Sequence, residues 1–303
     1  MIDPVALEIG PLQLHWYGII IASAVLIAAL LGARVAGWLG ENAEDGWSML
    51  LPVVILAVIG ARIYHVVHLW DFYSQNPAAI PQIWNGGIGI PGAVAGGAAA
   101  ILLYTRSRGL NTARWLDIFS PALLLGQAIG RLGNFVNQEL YGPPTSLCGG
   151  EFPPCLPFGV QISEAHRAGT PWTVDQFPVE STQFVPLFAY EAVLNLIGMA
   201  VLLFVVRRYA PRLFAGDLAL MYIMWYGSVR ALLENYRTGN WVIAGVPTAM
   251  WVGLIGLVLA GGWLILRHRR GWGSPMIRPD RERAVDATAE PTAAHPPSEA
   301  PAG

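Results

Sequence analysis

A dense run of polar side chains follows a long apolar stretch in the middle of the chain. Residues 130–142 read GRLGNFVNQELYG and come directly after the apolar segment 115–129. If that segment lies in a membrane, each polar group at its end costs roughly 2.5–3.5 kcal/mol on insertion scales. Such groups must then face one another, water or a polar ligand. An arginine beside amide donors suits a phosphate, and the alternative is a salt-bridged packing cluster.

The spacing within this run predicts one polar face. If the segment is helical, Arg131, Asn134 and Gln138 share a face because they are separated by three and four residues. Glycines at positions 126, 130 and 133 would let other backbones approach closely.

A second polar stripe occurs near the end of a later apolar segment. Tyr226, Arg230, Glu234 and Arg237 follow one another at intervals of four, four and three residues, so a helix would align them. Two arginines and a glutamate at that place are unfavourable unless they are paired or functional. The simpler interpretation is that Arg230 and Glu234 only pair with each other along their own helix.

The composition indicates a membrane protein. Of 303 residues, 54% are hydrophobic and 13% are charged, whereas soluble domains carry about 25% charged residues. The formal net charge is −2 and no basic stripe is visible, so nucleic acid is not an expected partner.

Seven apolar segments are long enough to cross a bilayer, which takes about 20 residues. The third and fourth are short and glycine-rich, so a kink or a re-entrant course is open for them. The predicted segments are Trp16–Leu39, Trp47–Leu69, Ile88–Tyr104, Trp115–Gly130, Val185–Val206, Ala215–Leu233 and Val246–Leu266.

The arginines orient these segments. Thirteen of the eighteen basic residues fall on one side if the N-terminus is outside, which makes that side cytoplasmic. These thirteen are Arg34, Arg106, Arg108, Arg114, Arg207, Arg208, Arg212, Arg267, Arg269, Arg270, Arg278, Arg281 and Arg283.

The sequence therefore predicts an all-α membrane protein with about seven transmembrane helices, its N-terminus outside and its C-terminus cytoplasmic. Residues 1–270 would form the integral membrane domain, and the proline-rich segment 140–184 a small extracytoplasmic head insertion. Residues 271–303 are rich in proline, alanine and glutamate, which predicts a disordered cytoplasmic tail without a packing role.

The chain has two cysteines, which lie seven positions apart in the segment 140–184. Without a histidine cluster, Cys148 and Cys155 do not make a zinc site, and no other metal-ligand cluster is visible. A disulfide is expected if the loop lies outside the cytoplasm, and a pair of free thiols is the alternative.

Three of these motifs resemble one known family. The run from Gly130 resembles the signature G-R-x-G-N-F-x-N-x-E of the bacterial prolipoprotein diacylglyceryl transferases, and it fills that signature residue for residue. Residues 226–234 match the family pattern Y-G-x-x-R-x-x-x-E, and residues 15–18 read HWYG, as the family's first span begins. Including weaker matches, the resemblance covers the chain to about residue 270.

The resemblance implies a reaction and its partners. A member of this family transfers the diacylglyceryl group of phosphatidylglycerol to the lipobox cysteine of a prolipoprotein precursor and releases glycerol 1-phosphate. This occurs in the bacterial plasma membrane, within the lipid bilayer, and without a metal or organic cofactor. The expected catalytic residues are Arg131, Arg230, Tyr17 and Glu139. The expected phosphatidylglycerol-binding residues are Arg131, Asn134, Asn137, Gly142, Tyr226, Arg230, Glu234 and Arg237.

The chain departs from the family pattern at two positions. Pro91 stands where many members have a histidine that is proposed as the base, and Val185 replaces another histidine. Because proline cannot titrate, Glu139, His15 or a water that they hold is the alternative base, or no dedicated base is needed.

Further ionisable and aromatic residues admit simpler interpretations. Arg62 is expected to pair with a carboxylate, and Glu191 with Arg62 or Arg131, because each is charged within an apolar segment. Tyr17 could instead belong to an aromatic belt at the membrane interface. Two other functional classes stay open: a transporter or channel with an arginine-lined anion path, and a lipid-binding scaffold without catalysis.

Overall fold

Helices make up most of the described part of the chain, residues 5–10, 12–237 and 242–278 of a computed structural model. In chain order they are α1 (Trp16–Leu39), α2 (Ala43–His68), α3 (Trp70–Gln75), α4 (Ile90–Ser107), α5 (Thr112–Val136), α6 (Leu187–Tyr209), α7 (Asp217–Leu233) and α8 (Thr248–Arg270). All but the short α3 overlap the predicted apolar segments. Helices α1, α2, α6 and α8 are long and apolar enough to cross a membrane, so the chain is a helical membrane protein.

Local signals explain where several helices begin and end. The side chain of Asn42 accepts a hydrogen bond from the Glu44 amide at 3.1 Å and caps α2, and Asn111 caps α5 in the same way. Helix α1 ends at Leu39, and the next residue, Gly40, caps it with a left-handed φ of 83°. The glycine-rich α4 and the Pro121-containing α5 are both continuous helices.

The helices pack closely in four pairs: α2 with α4, α1 with α5, α5 with α6, and α7 with α8. At the crossing of α2 and α4, a Cβ on Gly92 would lie 2.5 Å from Tyr64 Cβ and would also overlap the carbonyl group of Gly60. Glycine at this position therefore permits the close approach of the two helices.

Residues after α8 belong to the packed structure. Met276 is fully buried in the main core with Trp115 and Leu39. The Arg114 guanidinium donates to the Met276 carbonyl at 2.7 Å and pairs with Glu41 at 2.5 Å. The prediction of a tail without a packing role is therefore wrong for residues 271–278, because an apolar side chain and two backbone carbonyls there find partners. Residues 279–303 lie outside the described residues.

The segment between α5 and α6 has its own small core. Ile162, Trp172 and Phe184 are buried together, and the Arg167 guanidinium lies 4.7 Å from the centre of the Phe184 ring. Arg167 also donates to the Ile162 carbonyl at 2.8 and 3.0 Å. A disulfide joins Cys148 and Cys155, whose Cα atoms are 5.7 Å apart.

Two short antiparallel hairpins accompany the helices. One pairs β1 (Val5–Ile9) with β2 (Leu12–His15), and the other pairs β3 (Val242–Ile243) with β4 (Val246–Pro247). Both lead directly into a long helix, α1 and α8 respectively.

Candidate active site

The first polar run lies where the end of α5 meets the start of α6. Arg131 on α5 forms an ion pair with Glu191 on α6, and its guanidinium also donates to Asn134 Oδ1 at 3.1 Å. The two paired side chains are 19% and 7% exposed, so the pair is largely shielded from solvent. This confirms the expectation that Glu191 has a cationic partner.

The chain of polar contacts continues past the helix end. The amide of Asn134 donates to Glu139 Oε2 at 3.4 Å, and Asn137 donates to Glu139 Oε1 at 3.2 Å. Helix α5 stops at Val136, and left-handed backbone at Gln138 (φ 52°) helps fold Glu139 back over the helix. The Glu139 carboxylate is therefore exposed but fixed in place.

One sequence-based expectation fails at this turn. Gln138 does not share the face of Arg131, because the helix ends two residues earlier. Its side-chain oxygen instead accepts a hydrogen bond from the Ser163 amide at 2.7 Å and so tethers the segment between α5 and α6.

The second polar stripe lies at the end of α7. Arg230 pairs with Glu234 at 2.9 Å, as the simpler interpretation proposed. Glu234 is almost completely buried and opens a single 3₁₀ turn that follows the α-helix. The pairing holds the Arg230 guanidinium in one direction without enclosing it, because its side chain is still 16% exposed.

A cavity of about 740 Å³ lies beside this stripe, between the α2–α4 pair and the α7–α8 pair. Tyr226, Arg230, Glu234 and Arg237 line it, together with Tyr64, Pro91 and apolar residues of α7 and α8. Val252, one of these, is 66% exposed, so the cavity opens sideways onto the apolar surface of the helices. A polar end with apolar walls fits an amphiphile that carries an anionic group.

The two polar groups interact electrostatically through Arg237, which lies beyond the end of α7. Burial lowers the pKa of Arg237, and the positive charges of Arg230 and Arg131 lower it further. The carboxylates of Glu234 and Glu191 act in the opposite direction. The three guanidinium groups are therefore close enough to influence one another.

The remaining predicted residues surround this region. The Tyr17 ring packs against Gly133, where a Cβ would lie 2.7 Å from Tyr17 Cδ2. Gly142 donates its amide to the Val185 carbonyl at 2.8 Å, and a Cβ there would lie 3.3 Å from the Tyr236 carbonyl oxygen. Tyr17 thus contacts the helix of the signature run, and Gly142 allows a close approach to the residues before α6 and to the turn after α7.

Within the described residues Arg62 pairs with no carboxylate, so that expectation is wrong. Its guanidinium donates to the carbonyl oxygens of Ala79, Ile80, Gly86 and Gly87 at 2.6–2.8 Å. These contacts fix the loop that leads to Pro91 in the cavity wall. The left-handed Gly86 and Gly87 are the sequence signal that could have indicated such a loop.

The fold and site define a helical membrane protein with a cationic cavity that opens sideways. Comparison with known proteins gives the family: the model described as prolipoprotein diacylglyceryl transferase matches residues 4–267. The chain is 38% identical to a protein of Chloroflexus aggregans, over 89% of this chain and 90% of that one. It is 36% identical to one of Lactiplantibacillus plantarum (85% and 89%) and 34% identical to one of Streptococcus mutans (91% and 98%).

All three relatives are named phosphatidylglycerol–prolipoprotein diacylglyceryl transferase. The chain belongs to the prolipoprotein diacylglyceryl transferase family and is a transferase enzyme.

Proposed function

We propose that this protein transfers the diacylglyceryl group of phosphatidylglycerol to the lipobox cysteine of prolipoprotein precursors and releases glycerol 1-phosphate. The observation that carries the proposal is the placement of Arg230 and Arg237 at the polar end of a sideways-open apolar cavity. A lipid can enter such a cavity from the bilayer with its phosphate toward the arginines. The names of the relatives specify the same two substrates.

The chemistry requires a thiolate to displace a phosphate ester at carbon. The cysteine sulfur forms a bond to the glyceryl carbon while the bond from that carbon to the ester oxygen breaks, and the electron pair leaves with the phosphate. Guanidinium groups stabilise the charge that develops on the leaving phosphate. They also favour the thiolate form of the incoming cysteine.

Because the guanidinium groups favour the thiolate, the reaction can proceed without a histidine at position 91. The thiol proton must leave before or during attack, and Pro91 in the cavity wall cannot accept it. Glu139 is the first candidate acceptor, because its carboxylate is exposed while Asn134 and Asn137 hold it in place. His15 at the start of α1 is the second candidate.

The proposed roles follow from position. Arg230 and Arg237 bind the phosphate, and Tyr226 and Glu234 shape the same wall. Arg131, held by Glu191 and Asn134, adds positive charge and, with Tyr17, acts in catalysis. Asn137 and Gly142 complete the lipid site as positions of the signature run. Neither a metal nor an organic cofactor has a role in this reaction.

We further propose that all seven long helices span the bacterial plasma membrane, with the N-terminus outside and the C-terminus in the cytoplasm. The distribution of arginines supports this orientation. It would place residues 140–184 outside as a small head insertion above the active site. Headgroups of the outer leaflet and the lipobox of a precursor would then reach the same end of the bundle.

A transfer assay tests the proposed function. The purified protein is mixed with phosphatidylglycerol vesicles and a lipobox peptide, with a Cys-to-Ser peptide as control. We expect a thioether-linked lipopeptide and an equal amount of glycerol 1-phosphate from the cysteine peptide alone. Lipid binding without release of glycerol phosphate would instead support a scaffold, and anion flux into proteoliposomes without transfer would support a transporter.

A further inference from the structure

Two tyrosine hydroxyl groups hold the peptide groups on either side of Cys155. Tyr236 Oη donates to the Pro154 carbonyl at 2.7 Å, and Tyr190 Oη accepts from the Leu156 amide at 3.1 Å. The ring of Phe158 also packs edge-on against Tyr190, with centroids 5.9 Å apart. These contacts dock the loop of residues 148–158, called the disulfide loop below, onto the ends of two helices.

Each of these tyrosines is close in sequence to a carboxylate of the candidate active site. Tyr190 directly precedes Glu191, which pairs with Arg131. Consecutive residues of a helix point about 100° apart, so one turn of α6 faces the disulfide loop with one side chain and the arginine with the next. The position of the loop and the direction of the guanidinium therefore depend on the same helical turn.

The other tyrosine stands in a similar relationship to the second ion pair. Tyr236 ends the 3₁₀ turn that Glu234 begins, and Glu234 pairs with Arg230 at 2.9 Å. A turn of three residues has little freedom of its own. Anchoring its last residue to the Pro154 carbonyl consequently restricts the Glu234 carboxylate and the arginine that it orients.

The disulfide loop is itself restrained. The disulfide between Cys148 and Cys155 closes it, and the Gly149 amide donates to the Phe152 carbonyl at 2.8 Å within it. Phe152 packs on Trp172 of the small core between α5 and α6, with ring centroids 6.0 Å apart. The loop thus links a packed core to both helix ends.

We propose that Tyr190 and Tyr236 are positioning residues of the transferase, through which the disulfide-closed loop keeps Arg131 and Arg230 directed at the lipid phosphate. This inference rests on the proposed function. It makes the disulfide part of the active-site support, so that opening it lowers the turnover rate through the tyrosine contacts. Small misplacements of positioned groups reduce catalysis more than they reduce binding.

The experiment is a double-mutant cycle on the full-length protein in phosphatidylglycerol vesicles. Tyr236→Phe removes one hydroxyl and keeps the ring, and Cys148→Ser with Cys155→Ser removes the disulfide. We expect Tyr236→Phe to lower kcat about five- to tenfold, with KM for lipid and peptide changed less than about twofold. In the protein without the disulfide, the same substitution should lower kcat less than about twofold further.

Tyr209→Phe on the same helix as Tyr190 is the matched control and should leave kcat unchanged. The inference is overturned if Tyr236→Phe has wild-type kcat, or if its fold-loss is equal with and without the disulfide. Tyr190→Phe carries the same test if Tyr236→Phe does not insert.

A second measurement is independent of activity. Release of the disulfide loop should make reduction of the Cys148–Cys155 bond by dithiothreitol about fivefold faster in Tyr236→Phe, and an unchanged rate would contradict the inference. A wild-type protein without transfer activity would contradict the proposed function instead, and the reduction rates would still decide whether the tyrosines restrain the loop.

Discussion

Arg131 on α5 and Glu191 on α6 form an ion pair that joins two helices separated by fifty residues of intervening chain. Through Asn134 the pair continues to Glu139, which Asn137 also contacts, so five polar side chains form one connected group, and both charges of the pair act on Arg237 of the cavity wall. A buried pair is weak support for stability, because desolvation offsets most of its attraction. Its place next to the cavity indicates that the pair orients Arg131 for function.

Removal of Arg131 should therefore stop catalysis more than folding. We expect Arg131→Ala to lower kcat/KM for lipid transfer by about 10²–10³, the typical loss for one donor that stabilises developing negative charge. Arg131→Lys should recover little, since an ammonium cannot bond Glu191 and Asn134 with the same planar geometry. Glycerol phosphate release measures the rate, and Arg34→Ala, exposed on α1, is the control. Turnover near wild type in Arg131→Ala would remove this residue from the mechanism.

Variants of Arg230 and Glu234 should distinguish the binding of the lipid phosphate from the orientation of the guanidinium group that binds it. Arg230→Ala deletes a charge from the cavity wall, so we expect a loss of at least about 10² in kcat/KM. Glu234→Gln keeps the shape but loses the charge that holds Arg230, so about tenfold is expected. The two kinetic constants are measured with increasing phosphatidylglycerol in mixed micelles. A Glu234→Gln loss as large as that of Arg230→Ala would show that Glu234 acts directly.

Pro91 should be replaceable. It occupies the second position of α4, in the first turn, where its missing amide leaves no helical hydrogen bond unmade. Because it carries no titratable group, Pro91→Ala should keep kcat within about threefold of wild type and leave the pH dependence of kcat unchanged. A loss above about tenfold, with the protein still folded, would show that the shape of this wall is itself required.

The crossing of α2 and α4 should be sensitive to one methyl group. Gly92→Ala places a Cβ against Tyr64 and the Gly60 carbonyl, so we expect a destabilisation of about 1–3 kcal/mol, measured as a lower Tm in detergent. Gly97→Ala on the same helix is the control, because its nearest neighbour would be Val53 Cγ1 at 3.9 Å. Equal Tm values for the two variants would contradict the close packing at Gly92.

Several outcomes show where sequence reasoning stops. The residue at which α5 ends could not be predicted from spacing alone. Gln138 takes a left-handed conformation after the helix, and its side chain accepts a hydrogen bond from the distant Ser163 amide. Arg62 was expected to meet a carboxylate, yet it binds carbonyl groups of a loop seventeen to twenty-five residues away. Charge predicts that a buried arginine needs partners, but it does not select them.

The sequence by itself determined the long helices, because continuous apolar segments in this composition can satisfy their backbone only as helices in a membrane. It also determined the family, through the run from Gly130 to Glu139 and the motif from Tyr226 to Glu234. Only the tertiary structure decided that Arg131 pairs with Glu191, that Arg230 and Arg237 line a cavity opening sideways, and that two tyrosines hold the loop around Cys155. Those outcomes depend on which helix ends meet in space, and contacts between distant segments leave no periodic signal in the chain.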